Sequence, residues 1–251
     1  MLNKAIRSLF LISTTVTVII NYLATGLPLN NITTGEISDI YYTVITPAGF
    51  TFSIWALIYL GLIITSLLIL SNKFQVTKAA IIYFLISCVV NCLWIFSWHY
   101  FQVGLSAILL FLLVLLNYKV YTELNKSQNS TVRTIVTSWY LLYLGWTIIA
   151  SAINITTFLQ YKAGLNNLDP FIQGVFGGCV LVLAFLINSI ISIKHKNFTT
   201  LAVLIWAALG ILADHAYNTV LSITIYTLIS LSIITIAKII YIYSARTVTN
   251  K

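Results

Sequence analysis

Trp55 and Tyr59 lie four residues apart in one apolar run. Asn91, Trp94 and Trp98 step by three and four along a second, and Tyr143, Trp146, Ala150 and Asn154 by three, four and four along a third. In an α-helix, residues at these spacings share a face. Three helices would thus each present a stripe of indole and phenol rings, two of them with a carboxamide. Such groups offer flat apolar area and a few hydrogen bonds, and none is an activated nucleophile or a phosphate cradle. The chemistry they suit is recognition of a large apolar molecule.

The elements that must position these residues follow from composition. Of 251 residues, 60% are hydrophobic and only 7% charged, against about 25% charged in ordinary soluble domains. So few charges cannot cover a water-facing surface, and the apolar runs are continuous rather than alternating. The chain reads as an all-α polytopic membrane protein whose spans are helices, not barrel strands. Eight spans are expected, at about 6–25, 48–70, 79–98, 103–121, 136–158, 171–193, 199–214 and 218–240, the seventh being the shortest. Lys4 and Arg7 ahead of an apolar run resemble a signal peptide, but Leu23-Ala24-Thr25-Gly26 is a poor cleavage site, so the first span is expected to be retained.

Charge supports this count. With eight spans and an inner N-terminus, twelve of the thirteen basic residues fall inside, including Arg246 and Lys251, and only Lys162 falls outside. Glu36, Asp39, Asp169 and Asp214 lie outside and Glu123 inside. A bacterial cytoplasmic membrane with both termini cytoplasmic is the expected setting. The net charge of +8 has no basic cluster on a soluble domain and does not point to nucleic acid. Cys88, Cys92 and Cys179 sit in apolar runs and read as small fillers.

Depth separates lining from anchoring. Counted from the outer span ends, Trp94 and Asn154 lie roughly 6–8 Å in, Trp55 and Asn91 roughly 10–12 Å, and Tyr59 and Trp146 roughly 16–18 Å. An aromatic belt at headgroup level accounts for Trp98 and Tyr100, and for Trp139 at the inner face, but not for Tyr59 and Trp146. Interhelical hydrogen bonding competes as a reading of Asn91 and Asn154. The whole set is better read as a pocket open to the outer side.

Residues 1–160 resemble the TspO/MBR family of tryptophan-rich sensory or translocator proteins. The resemblance rests on F-T-F-S-I-W-A-L-I-Y (50–59), N-C-L-W (91–94) and Y-L-G-W-T-I-I-A-S-A-I-N (143–154), in order and after a long first loop. It implies a five-helix bundle that binds a tetrapyrrole or sterol beneath that loop, lined by Trp55, Tyr59, Asn91, Trp94, Tyr143, Trp146, Ala150 and Asn154. No resident cofactor is implied beyond such a bound ligand. Ile95-Phe96-Ser97 and Leu142 stand where the family usually has prolines. Residues 161–251, with three further spans, have no counterpart in the five-helix pattern and are expected to pack on the bundle.

The first loop carries Glu36 and Asp39, so a dicarboxylate porphyrin would meet like charge. A neutral isoprenoid, a sterol-like molecule or a cationic apolar ligand suits it better. Two rival functions remain. A transporter could use eight spans, but no basic or acidic residue is buried at mid-membrane; only Asn21, Asn117 and Asn188 are further buried amides. An enzyme acting on a lipid or tetrapyrrole lacks a nucleophile–base pair. His99, Asp214 and His215, with Glu36 and Asp39, lack metal-ligand spacing and are expected as interfacial loop residues. Gly174 and Gly178 form a GxxxG suited to close helix packing, within the chain or between the copies of a homodimer.

Overall fold

The computed structural model describes residues 3–27, 29–162, 164 and 167–249. Lys251, counted above among the inner cations, lies outside them. Among the described residues there are nine α-helices: α1 Lys4–Gly26, α2 Thr34–Ile40, α3 Ile54–Leu70, α4 Lys78–His99, α5 Val103–Leu124, α6 Ser130–Lys162, α7 Pro170–His195, α8 Thr199–His215 and α9 Thr219–Thr249. Short 3-10 turns at Leu29–Asn31 and Gly49–Ser53 punctuate the first loop and the entry to α3. The protein is a polytopic helical membrane protein. Among the described residues, seven segments are long and apolar enough to cross a bilayer, while α8, with 17 residues, is a shorter apolar helix.

Helix starts follow local chemistry. Asn3, Thr77 and Asp169 each cap a helix by accepting a backbone N–H within its first turn, and Pro170 opens α7, where its missing N–H is harmless. Thr33 and Glu36 form a reciprocal capping box that starts α2 inside the first loop. The hydrogen bonds from Thr33 hold the Glu36 carboxyl below the usual carboxylate range, so it stays charged at neutral pH.

The burial pattern is that of a membrane protein. Leu9, Ile12, Val16 and Ile19 of α1 and Leu105, Ile108, Leu112 and Leu115 of α5 are exposed, while Asn21, Asn91, Asn117 and Asn188 are buried. Aliphatic faces of this kind suit lipid, and the amides that lipid would not solvate turn inward.

The chain forms two compact units. The first takes in the chain to Tyr42 and Phe52–Thr147; the second takes in Thr43–Thr51 and the chain from Ile148. In the first, α1 packs on α3 and α4, and α4 packs on α5. Phe10 and Phe84 stack with centroids 3.6 Å apart. Gly61 of α3 lies against the indole of Trp139 on α6, where an added Cβ would come within 2.6 Å of the ring. Helix α2 is docked on the end of α4, with Ile37 packed among Trp98 and Val103.

In the second unit, α7, α8 and α9 pack pairwise. The GxxxG works within this unit. A Cβ at Gly174 would lie 2.6 Å from Asn218 and one at Gly178 3.2 Å from Thr224, so the two glycines let α7 meet α9 closely. The stretch 43–51 is held by Ala48 N–H donating to Gly210 O at 3.0 Å, Trp206 Nε1 donating to Thr51 O at 2.9 Å, and Phe50 lying edge-on to Trp206.

Two expectations are revised. Trp98 is not a lipid-facing belt residue: it is buried beneath α2, and its Nε1 donates to Thr34 O at 3.4 Å. His99 and His215 are not exposed loop residues. The His99 ring bridges Leu29 O and Thr34 Oγ1, each at 3.0 Å, and His215 Nε2 donates to Thr46 O at 2.9 Å. Both histidines pin parts of the first loop. A helix-terminal histidine looks surface-bound in sequence until the loop folds back over it.

Candidate aromatic site in the first unit

Trp55 is placed by the first turn of α3 and is half-buried. Four rings surround it. Tyr59, one turn on, stacks at 5.6 Å, and Trp94 from α4 stacks at 5.7 Å with planes 26° apart. Tyr143 and Trp146 from α6 lie edge-on at 6.1 and 6.2 Å. Phe52 meets Trp146 edge-on at 6.1 Å. These are the offset and T-shaped geometries that ring quadrupoles favour, each worth about 0.5–1.5 kcal/mol beyond its buried area.

Behind the rings runs a short polar relay. Asn21 Nδ2 donates to Asn91 Oδ1 at 2.7 Å, and Asn91 Nδ2 donates to the Tyr143 hydroxyl at 3.0 Å. Asn21 also donates to Thr17 O in its own helix. Helices α1, α4 and α6 are thereby joined by side-chain bonds inside an apolar bundle, and the ring of Tyr143 is fixed against Trp55. Replacing Asn91 with Leu removes both interhelical bonds and leaves the Asn21 amide short of an acceptor. We expect a loss of about 1–2 kcal/mol, read by denaturation in detergent. Asn21→Leu on the Asn91→Leu background should cost less than in the wild type, because the shared bond is already gone.

Six of the eight sequence-selected residues, Trp55, Tyr59, Asn91, Trp94, Tyr143 and Trp146, therefore gather in the first unit. Ala150 and Asn154 lie further along α6 in the second unit, where Asn154 Nδ2 donates to Ala150 O at 3.2 Å. Sequence reasoning singled out Asn21 only as a buried amide and left Phe52 unremarked. The three-residue step from Phe52 to Trp55 was the available signal for the second; nothing in the sequence pairs Asn21 with Asn91. The indole N–H groups of Trp94 and Trp146 are buried and donate to no acceptor among the described residues. Indole is a donor only, and a buried donor without an acceptor costs about 1–3 kcal/mol.

The family described as TSPO-like protein matches residues 7–241. The chain belongs to the TSPO-like family. The matched interval takes in α7, α8 and most of α9 as well as the five-helix stretch that carries the three motifs. No curated protein and no solved structure matches the TSPO-like chain.

Proposed function

We propose that this TSPO-like membrane protein binds a large apolar molecule, of tetrapyrrole, sterol or isoprenoid type, at the rings around Trp55, in order to sense or handle it. The observation that carries the reading is the combination at one place of a partly buried indole, four flanking rings and two buried indole donors with no acceptor among the described residues. In this reading α8 is an eighth, short crossing, both termini lie on the inner side of a bacterial cytoplasmic membrane, and the ring cluster sits in the outer half of the bilayer. Glu36 and Asp39 are exposed on the first loop and favour a neutral or cationic ligand over a dicarboxylate.

Tryptophan fluorescence of the detergent-purified protein tests this against a porphyrin dicarboxylate, a sterol, an isoprenoid quinone and a lipophilic cation. Saturable quenching is expected, with the porphyrin the weakest binder. If no member of the panel quenches saturably, the rings are packing and the reading fails.

A further inference from the structure

The opposite end of the first unit carries a second feature. The chain start, the α3–α4 loop and the α5–α6 loop meet there: Arg7 Nη1 donates to Leu70 O at 3.1 Å, and the Thr77 hydroxyl donates to Glu123 Oε2 at 2.8 Å. Between the two loops lies a polar cleft of about 470 Å³, lined by Asn72, Lys73, Thr77, Glu123, Lys126 and Asn129 among others. Its volume falls within the range of small-molecule sites, about 300–1,000 Å³. The walls are set by backbone signals. Asn72 takes a left-handed conformation (φ 61°) just past α3, Thr77 caps α4, and Asn129 Oδ1 accepts Val132 N–H at the start of α6.

Charge decides what the cleft suits. Lys4, Arg7, Lys73, Lys78, Lys119, Lys126 and Arg133 belong to the segments at this end, and Glu123 is the one acid among them. Both oxygens of that acid are engaged, one by Lys126 Nζ and the other by Thr77. Glu123 thus ties the two loops together and leaves a surplus of cation. Lys73 and the side-chain amides of Gln75 and Gln128 in the lining offer donors to an occupant. A compact anion with several acceptor oxygens matches this lining. An apolar molecule does not, and a cation would be repelled.

We propose that this cleft is a phosphate-binding site, distinct from the aromatic cluster and at the other end of the same unit. It would be filled by the phosphate of an anionic lipid headgroup or by a soluble phosphate ester of similar size. Basic pockets at helix ends near the membrane surface bind anionic headgroups through the same combination of charge and donors.

Native mass spectrometry of the full chain tests this after extraction from nanodiscs of phosphatidylcholine with one-tenth phosphatidylglycerol. Phosphatidylglycerol is expected to be retained about tenfold over its bulk share. Lys73→Gln combined with Lys126→Gln should abolish the preference. Glu123→Gln, which removes the one negative charge, should raise it. Lys4→Gln, a cation at the same end outside the cleft lining, should leave it unchanged, and thermal denaturation of each variant checks that the fold is retained. Displacement of the lipid by millimolar glycerol 3-phosphate would support a soluble ester as the source; lipid retained through that challenge supports the headgroup. Absence of preferential retention in the wild type, with no binding of glycerol 3-phosphate, overturns the site. So does an equal loss in Lys4→Gln, which would reduce the cations to diffuse membrane attraction.

Discussion

Trp55→Ala is expected to weaken ligand binding about thirtyfold, whichever member of the ligand panel binds best. Trp55 touches Tyr59, Trp94, Tyr143 and Trp146, so its removal takes away the ring that the others face. It is also only partly buried, so the truncation opens less of a sealed core than Trp146→Ala would, Trp146 being 1% exposed. The two substitutions should therefore separate. Trp55→Ala should act mainly on affinity, and Trp146→Ala on affinity and stability together. Trp55→Phe keeps a ring and should recover most of the loss. The checks are a quenching titration and a denaturation curve for each variant. Unchanged affinity in Trp55→Ala would remove the aromatic site from the function altogether.

Gly61→Leu is expected to be the most damaging single change to the first unit, at about 3 kcal/mol or more of stability. The nearest atoms to an added Cβ are Cε3, Cδ2 and Cγ of Trp139, at 2.6–2.8 Å, near the base of the indole rather than the tip of a flexible chain. Helix α3 would have to withdraw from α6, carrying Trp55 and Tyr59 away from Tyr143 and Trp146. Ligand affinity should fall along with stability. Gly61→Ala should do less harm, and Trp139→Ala should rescue Gly61→Leu in part, because the atoms nearest the added Cβ all belong to Trp139. A Gly61→Leu protein with wild-type melting and wild-type affinity would show that α3 and α6 do not meet at this point.

The two predictions draw on different kinds of information. The stripe of Trp55 and Tyr59, and those of Asn91 with Trp94 and Tyr143 with Trp146, were legible because helical periodicity is local: a side chain's face is set by its neighbours three and four residues away. The apolar runs showed the helices for the same reason. Their ends were less legible. Helix α6 extends from Ser130 to Lys162, well past the expected 136–158, because polar residues continue a helix beyond its apolar stretch. Gly49–Ser53 forms a 3-10 turn at the head of the expected second span.

Partners across helices were not legible. No spacing links Asn21 to Asn91 over 70 residues, or His99 to Leu29 and Thr34, or Gly61 to Trp139. The GxxxG of α7 announced a close contact but not that α9 would fill it. The split of the first loop, with residues up to Tyr42 in one compact unit and Thr43–Thr51 in the other, left no mark in composition.

By itself, then, the sequence determined that this is a helical membrane protein with three aromatic stripes. Those properties follow from composition and from periodicity along single helices. The tertiary structure alone decided that Trp55 would be the hub, that an amide relay would brace it from behind, and that one carboxylate would tie two loops into a cationic cleft. Such arrangements depend on which faces of distant helices meet, and pairings of that kind are set by packing and by burial of polar groups away from lipid, not by any local pattern.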